Sequence, residues 1–319
     1  AGKSLELTID DDLQSYGEIL MQCKRGSIVA IDPKSGEILA LVSAPSYDPN
    51  LLVGRKRSQN YTLLYNDSIA KPLFDRALLA EYPPGSTFKP FTALLGLQEG
   101  VMTPQSVVSC NGGYHYGNRV MKCHAHASPL DMLHAIATSC NAYFAHEYRK
   151  IIEKYPTPAQ GITAWGNDLR SFGFGEYLGS DFPIGRKGYI PDAAFYNRHY
   201  GENGWRATTN ISNAIGQGEV LVTPLQLANA LSAIANKGDY YTPHIVRKID
   251  GKTTPFTQYT EVKHTCVAPK YFDPIIKGMN LSYTAGTSRG TQIDSVNVAA
   301  KTGTAENYIR VNGKRMQLT

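Results

Sequence analysis

The chain has 319 residues, of which 42% are hydrophobic, 18% charged and 10% aromatic. This is the composition of a globular protein. A chain of this length can bury a sizeable core as one large domain or two smaller ones. Its 32 basic and 27 acidic residues leave a net charge of +5, too small and too dispersed to indicate nucleic-acid binding. No apolar run approaches the roughly 20 residues that span a bilayer, and the first residues do not form a signal peptide.

A β-hairpin is predicted near the start of the chain. Residues 26–31 and 37–43 are rich in β-branched and apolar side chains, as strands usually are. Between them, residues 32–36 supply the aspartate, proline, serine and glycine that favour tight turns. We therefore predict two antiparallel strands, followed by a long polar loop that begins at Pro45.

Helices are predicted through the middle of the chain. One covers residues 83–97 and stops at Gly100. A second has Ser128 as its N-cap and Pro129 at its first position, and it covers residues 130–137. Similar start and stop signals predict three further helices, over residues 141–150, 224–236 and 271–283.

A late strand is predicted over residues 296–300, leading into the Lys301-Thr302-Gly303 segment. Strands near both ends of the chain with helices between them indicate a sheet assembled from distant segments around a helical insert. The predicted fold class is therefore α/β or α+β, and periodicity alone does not separate the two.

Ser86 and Lys89 form the first group with catalytic chemistry. Positions three apart share a face of a helix, so the lysine is expected one turn from the serine. A serine hydroxyl is activated when a base removes its proton, and a lysine can be that base if burial or nearby cations lower its pKa from about 10.4. The free N–H groups at a helix start also favour a developing oxyanion. Taken alone, the pair is more typical of a capped helix with a surface lysine.

Two further groups follow along the chain. Ser139 and Asn141 stand at the break between two predicted helices, where both can project together while Cys140 points elsewhere. The third group, at the end of the predicted strand, is Lys301, Thr302, Gly303 and Thr304. Its glycine allows close backbone approach to a ligand, and its lysine and two hydroxyls suit a carboxylate.

The order of the three groups is more informative than any one of them. Serine and lysine on a helix start, Ser-x-Asn between helices and Lys-Thr-Gly on a late strand form the three-part signature of penicillin-recognising serine enzymes. With them, the chain resembles class B penicillin-binding proteins, most closely the elongation-type group called penicillin-binding protein 2. The resemblance extends over essentially the whole chain, through residues 7–10, 29–33, 36–40, 43–50, 83–90, 216–218, 223–228 and 235–238.

The resemblance implies one transpeptidase domain over residues 1–319. The implied fold is penicillin-binding/β-lactamase-like, with an antiparallel sheet flanked by helices and an all-helical subdomain over roughly 87–290. Family members also carry an elongated N-terminal pedestal and, after the Lys-Thr-Gly segment, two more strands and a terminal helix. We expect the pedestal and these C-terminal strands to be absent here, which would leave the Lys301 strand without its usual neighbours.

The activity implied by the resemblance is D,D-transpeptidation of peptidoglycan. Ser86 attacks the D-Ala-D-Ala amide of a stem peptide, D-alanine leaves, and an amine of a neighbouring stem peptide resolves the acyl-enzyme. β-Lactams mimic this dipeptide and are expected to acylate Ser86. A serine β-lactamase and a β-lactam sensor are the alternatives. A β-lactamase needs an additional base for deacylation, and no motif identifies one. A sensor would lack the long match to class B penicillin-binding proteins.

The resemblance also implies a role for each residue of the site. Lys89 is the general base for acylation, Ser139 relays a proton to the leaving amine, and Lys301 keeps the network electropositive. The expected substrate-binding groups are Asn141 for the amide, Thr302, Gly303 and Thr304 around the terminal carboxylate, and the N–H groups of Ser86 and Thr304 for the oxyanion.

Partners and location follow from the same resemblance. The expected partners are stem peptides, β-lactams and a membrane glycosyltransferase of the elongation machinery. The expected location is the periplasmic face of the bacterial inner membrane, with a single-pass anchor in the full-length protein.

Three cysteines and several histidines cluster around the second group. Cys110, Cys123 and Cys140, with His126 or His124, supply three thiolates and an imidazole, which are preferred ligands of tetrahedral zinc, and we favour His126. The chemistry needs no cofactor, so such a zinc ion would be structural and would hold the second group from behind. Two other interpretations stay open: a Cys110–Cys123 disulfide, because the periplasm is oxidising, or thiols that act as small buried apolar groups.

Overall fold

The computed structural model describes residues 2–253, 256–304, 308–311 and 314–317. Contacts between residues divide the chain into two compact units. Unit 1 comprises Ala1–Tyr82, Glu176–Gly188 and Val222–His264, and unit 2 comprises Pro83–Gly175, Tyr189–Leu221 and Thr265–Thr319.

The elements of both units are numbered in chain order. The helices are α1 (Asp11–Leu20), α2 (Arg57–Asn66), α3 (Arg76–Leu79), α4 (Lys89–Gln98), α5 (Met132–Thr138), α6 (Asn141–Glu153), α7 (Pro158–Arg170), α8 (Ala193–Tyr200), α9 (Pro224–Ala235) and α10 (Phe272–Thr284). The strands are β1 (Leu5–Leu7), β2 (Gly26–Ile31), β3 (Ile38–Ala44), β4 (Gly113–Tyr116), β5 (Arg119–Lys122), β6 (Asp239–Tyr240), β7 (Val246–Ile249), β8 (Lys252–Thr253), β9 (Lys263–His264), β10 (Tyr308–Val311) and β11 (Lys314–Gln317). The helices of the described part of the chain are all too short to cross a membrane as an apolar span.

The predicted N-terminal hairpin is confirmed in unit 1. β2 and β3 pair antiparallel, from Gly26 opposite Ala44 to Ile31 opposite Ile38. Residues of β3 are alternately buried, as expected for a strand with one face on a core. Gly36 ends the connecting turn at φ +78°, and a Cβ there would lie 2.9 Å from a backbone carbonyl, so the turn requires glycine.

Strands from distant parts of the chain extend unit 1. β1 pairs antiparallel with β7, with Leu5 opposite Ile249, and β7 pairs with β8. The hairpin joins this region because the Ile38 N–H donates to the His244 carbonyl at 2.9 Å and the His244 N–H donates to the Gly36 carbonyl at 3.1 Å. α1 packs on β3 and α9 packs on β2. The predicted antiparallel sheet with flanking helices is thus present, and its late strands are β7 and β8.

The core of unit 2 is aromatic at the start of α4. The Phe91 and Phe174 rings meet edge-on with centroids 5.0 Å apart, and Phe88 packs edge-on against Trp165 at 6.3 Å. α4, α6 and α7 contact one another around these rings. Because Phe88 and Phe91 flank Lys89, this packing fixes the first turn of α4.

The predicted start of α5 is wrong. The helix begins at Met132, and its N-cap is Asp131, whose carboxylate accepts from the His134 N–H at 2.9 Å. Leu130 exchanges two backbone hydrogen bonds with Val108, so the chain before Asp131 is extended and cannot be helical. The Ser128 hydroxyl accepts from the Cys110 N–H instead of capping the helix.

The predicted strand over residues 296–300 is also wrong. The Ala300 N–H donates to the Met279 carbonyl of α10, and the Val298 carbonyl accepts from the Asn280 side chain. These bonds tie the segment to a helix, so within the described residues it has no strand partner.

Two strands follow the Lys-Thr-Gly segment. They are β10 and β11, which pair as an antiparallel hairpin. The predicted limits of the helical subdomain, roughly 87–290, stay a prediction, and Val222–His264 within them belongs to unit 1.

Candidate active site

Ser86 lies in a tight turn immediately before α4. The turn, Gly85–Phe88, is a 3-10 helix, and α4 itself begins at Lys89. The Gly85 N–H donates to the Gly216 carbonyl at 2.8 Å. Gly216 has φ +65°, and a Cβ on it would lie 2.5 Å from the Gly85 carbonyl oxygen. Only glycine allows this approach, so Gly216 holds the backbone that presents the half-buried Ser86.

Lys89 is fully buried one turn after Ser86. Its ammonium donates to the Ser139 carbonyl at 2.6 Å, the Ser139 hydroxyl at 3.0 Å and the Asn141 Oδ1 at 2.6 Å, which accounts for its three protons. Burial, and then the positive charge of Lys301, lower the pKa of Lys89 to about 7. Within the described residues the Ser86 hydroxyl has no hydrogen-bond partner. Lys89 must therefore give up one of its three hydrogen bonds to bond to this hydroxyl.

Ser139 is shared by two lysines. The Lys301 ammonium donates to its hydroxyl at 2.9 Å, in addition to the bond from Lys89 at 3.0 Å. Ser139 is the C-cap of α5 in the left-handed conformation, φ +60°, which turns the chain directly into α6. Burial lowers the pKa of Lys301 to about 8. The predicted helix break at Ser139 is therefore confirmed, and it places one hydroxyl between two amines.

Asn141 is held at both ends of its amide. Oδ1 accepts from Lys89, and Nδ2 donates to the Lys122 carbonyl at the end of β5 at 2.9 Å. The second Nδ2 proton is left for another acceptor. Cys140 caps α6 by accepting from the Tyr143 N–H at 3.3 Å, whereas the Ser139 and Asn141 side chains accept from Lys89.

The Lys-Thr-Gly segment lies beside the Ser86 turn. A Cβ on Gly303 would lie 2.7 Å from the Thr87 methyl group, so the glycine permits close contact there. Thr302 and Thr304 are exposed, and the Thr302 hydroxyl donates to the Thr287 hydroxyl at 2.8 Å. Thr287 is not among the site residues that the sequence predicts. The sequence carries no local signal for it, because it follows α10 in a loop.

The cysteine and histidine cluster is also present. One ligand atom from each of Cys110, Cys123, His126 and Cys140 lies within 4.8 Å of the others. All five cysteines of the chain are free, so the Cys110–Cys123 disulfide is not formed in this structure. Zinc bound at about 2.0–2.3 Å from each ligand requires donor atoms roughly this close together. Three sulfurs and one imidazole therefore fit a tetrahedral ion.

The structure separates the two candidate histidines. The His126 Nδ1 lies 2.7 Å from the Ala127 carbonyl, where it carries the proton, and this leaves the Nε2 lone pair 3.4 Å from the Cys123 sulfur. The His124 Nε2 instead bonds the Thr138 carbonyl at 2.7 Å. His126, and not His124, is thus oriented toward the cluster.

Hydrogen bonding polarises the thiols. A hydrogen bond with the Cys140 thiol, together with that from the Asn141 N–H at 3.2 Å, lowers the pKa of the Cys123 thiol. Donating that bond, with burial, raises the pKa of Cys140. The Asn141 backbone thus connects the cluster directly to the site that holds Lys89.

Comparison with known proteins agrees with this geometry. A family model described as the penicillin binding protein transpeptidase domain matches residues 26–317. The chain belongs to this family. Peptidoglycan D,D-transpeptidase MrdA of Acinetobacter baumannii is 35% identical to this chain over 326 aligned positions, which cover 98% of this chain and 46% of the relative. The chain therefore spans about half the length of the curated relatives it matches.

Solved structures show the same relationship. PBP2 of Pseudomonas aeruginosa, in complex with WCK 5153, superposes with a TM-score of 0.84 at 34% identity, covering 96% of this chain and 68% of that one. An imipenem acyl-enzyme of penicillin-binding protein A from Mycobacterium tuberculosis superposes with a TM-score of 0.77 at 28% identity, covering 96% and 69%. The resemblance to penicillin-binding protein 2 and the predicted transpeptidase fold are both confirmed.

Proposed function

We propose that the chain is a peptidoglycan D,D-transpeptidase that works through a Ser86 acyl-enzyme. The observation that carries the proposal is the convergence of Lys89 and Lys301 on the Ser139 hydroxyl, at 3.0 and 2.9 Å. A pKa of about 7 for Lys89 supplies an amine that can accept a proton at neutral pH, one turn from Ser86. Family membership and the acyl-enzyme of the mycobacterial relative support the same chemistry.

Acylation uses the two lysines differently. The Ser86 Oγ bonds to the carbonyl carbon of the D-Ala-D-Ala amide while its proton passes to the neutral amine of Lys89. The N–H groups of Ser86 and Thr304 stabilise the oxyanion. When the C–N bond breaks, Ser139 donates its proton to the leaving D-alanine amine and takes one from Lys89. Lys301 remains a cation and stabilises the negative charge on the shared hydroxyl.

Deacylation reverses these transfers with a new amine. The amine of a neighbouring stem peptide attacks the ester carbonyl and forms the new amide bond, and the Ser86 oxygen leaves. The excess proton of the amine passes through Ser139 and Lys89 to Ser86, so the enzyme returns to its first state. Hydrolysis instead requires a base for water, and among the described residues no carboxylate hydrogen-bonds to Ser139, Asn141 or either lysine.

In this proposal, the exposed groups beside the Ser86 turn bind the substrate. The hydroxyls of Thr302 and Thr304 hold the terminal carboxylate, and Gly303 lets this segment approach the Ser86 turn. The second Nδ2 proton of Asn141 binds a substrate amide oxygen. β-Lactams bind to the same groups because they mimic the D-Ala-D-Ala dipeptide.

The test of the nucleophile is intact-mass spectrometry after incubation with benzylpenicillin. Wild type and Ser58→Ala, which changes an exposed serine of α2, should gain one stable adduct, and Ser86→Ala should gain none. An adduct on folded Ser86→Ala would overturn the assignment. Transfer of the acyl group from a D-Ala-D-Ala peptide to an added amine then separates a transpeptidase from a sensor, and rapid loss of the penicillin adduct would indicate a β-lactamase.

We also propose a structural zinc ion on Cys110, Cys123, His126 and Cys140. The donor set and its spacing support this, as does the His126 Nδ1 bond that directs Nε2 inward. Metal analysis of the purified protein should give about one equivalent of zinc. Cys110→Ser should lose it, whereas Cys23→Ser, at an exposed thiol outside the cluster, should keep it. Metal-free protein with unchanged stability and acylation would refute the site.

Location and partners are proposed from the family alone. A peptidoglycan substrate places the domain at the periplasmic face of the inner membrane, carried by an anchor in the full-length protein. A membrane glycosyltransferase of the elongation machinery is the proposed partner, since cross-linking needs newly polymerised strands. The test is cross-linking of the full-length protein in intact cells. A cross-link to that glycosyltransferase would support both statements, and its absence would count against them.

A further inference from the structure

A row of hydroxyl groups leads from the buried side of α10 to the Lys-Thr-Gly segment. The Thr302 hydroxyl donates to that of Thr287 at 2.8 Å, Thr287 lies 3.3 Å from the Ser282 hydroxyl, and Ser282 lies 3.3 Å from that of Ser288. Ser282 and Ser288 are buried, whereas Thr287 and Thr302 are exposed. The row therefore links hydroxyls inside unit 2 to the one proposed to meet a substrate carboxylate.

The backbone of Thr287 is fixed independently of the Lys-Thr-Gly segment. Its N–H donates to the Ala137 carbonyl at 3.1 Å, and a Cβ on Gly286 would lie 2.2 Å from that same oxygen. Ala137 is in the last turn of α5, two residues before Ser139. Thr287 is thus positioned by the helix that presents the catalytic hydroxyl, while Thr302 sits on an irregular segment.

The direction of the row must depend on what Thr302 binds. A hydroxyl donates one hydrogen bond, and in this structure Thr302 is the donor to Thr287. A carboxylate only accepts, so Thr302 must turn its proton to the ligand. Thr287 can then donate to Thr302, with Ser282 behind it. Hydrogen bonds aligned in one direction strengthen each other, and the last of them ends on a charged acceptor.

We propose that Thr287 is a positioning residue that makes the site selective for ligands with a free C-terminal carboxylate. It does so by donating to Thr302 when Thr302 donates to the carboxylate. This inference rests on the proposed function of the site. It predicts that peptides and β-lactams with an ionised carboxylate are preferred over the corresponding amides and esters, and that part of this preference belongs to Thr287.

The acylation test compares benzylpenicillin with its methyl ester by intact-mass time courses. In Thr287→Val, which keeps the shape but removes the hydroxyl, we expect acylation by the acid to fall about five- to tenfold and that by the ester to change less than about twofold. The loss should appear as a higher half-saturating concentration at an unchanged limiting rate. Thr287→Ser should restore the preference. The matched control is Thr284→Val, an exposed threonine of α10 whose hydroxyl bonds the Asn280 carbonyl outside the row.

A binding test separates failure of this inference from failure of the proposed function. In the Ser86→Ala background, NMR titration with an N-acylated D-Ala-D-Ala and with its C-terminal amide measures carboxylate preference without chemistry. If wild type is not acylated but the preference falls in Thr287→Val, the proposed function fails and the role of Thr287 stands. An equal loss for acid and ester, or an unchanged acid-to-ester ratio, would overturn the role of Thr287 and leave the transpeptidase assignment intact.

Discussion

Lys89 and Lys301 reach the same hydroxyl from regions of the molecule that are built in different ways. Lys89 belongs to the first turn of α4, between two phenylalanines packed in an aromatic core. Lys301 belongs to a segment without regular structure, whose backbone is bonded to α10 through Ala300. A helix places Lys89 by local rules, whereas only contacts with distant residues place Lys301.

The two environments lower the pKa values of both amines, for partly different reasons. Lys89 is fully buried and feels the charge of Lys301, so its pKa falls to about 7, whereas burial alone lowers that of Lys301 to about 8. A neighbouring cation disfavours the protonated form of a lysine, and Lys89 has Lys301 as such a neighbour. Lys89 is therefore the better candidate for the base, and Lys301 for the retained cation.

The largest effect is expected from replacing the base. In Lys89→Met, acylation by benzylpenicillin should fall about 10³-fold, because general base catalysis typically contributes 10²–10⁴-fold. Stopped-flow or intact-mass kinetics measure the rate, and circular dichroism shows whether the variant is folded. A folded Lys89→Met that acylates at the wild-type rate would exclude Lys89 as the base.

A smaller effect is expected at the other lysine. Lys301→Met removes one charged hydrogen bond to Ser139, and such a bond contributes about 1.5–3 kcal/mol, so acylation should fall about 10- to 100-fold. Lys277→Met changes an exposed lysine of α10 and is the control. If Lys301→Met loses as much activity as Lys89→Met, the two lysines do not have the separate roles proposed.

The pH dependence of acylation sharpens the same distinction. Lys89 must be neutral to accept a proton, so the wild-type rate should rise with pH through an apparent pKa near 7. Removing the positive charge of Lys301 favours protonated Lys89. In Lys301→Met, this limb of the pH profile, where the acylation rate rises, should therefore move to higher pH by about half to one pH unit. A limb that stays in place, or moves to lower pH, would show that Lys301 does not set the pKa of Lys89.

The smallest effect concerns the helix that presents the shared hydroxyl. Asp131→Ala removes the N-cap of α5 and should lower the free energy of unfolding by about 1 kcal/mol, with little change in acylation. Urea unfolding measures this loss, and Asp131→Asn, which can still cap, should recover most of it. No loss in Asp131→Ala would mean that packing alone determines where α5 begins.

Predictions from the sequence succeeded where neighbours along the chain decide the structure. The hairpin of β2 and β3 forms across a short turn, and α9 begins with a capping box in which Thr223 and Gln226 bond each other's backbone N–H groups. They failed where a distant partner decides. Pairing of Leu130 with Val108 delays the start of α5, and bonding to α10 keeps residues 296–300 from forming a strand.

The sequence by itself determined the order of the three motifs, the family and the spacing of Ser86 and Lys89, because each depends only on residue types and positions along the chain. Only the tertiary structure decided that Lys301 reaches Ser139 across 162 positions, that His126 and not His124 joins the thiols, and that Thr287 stands behind Thr302. The pKa of Lys89 also belongs to the folded state, since desolvation exists only after the core of unit 2 has closed around the amine.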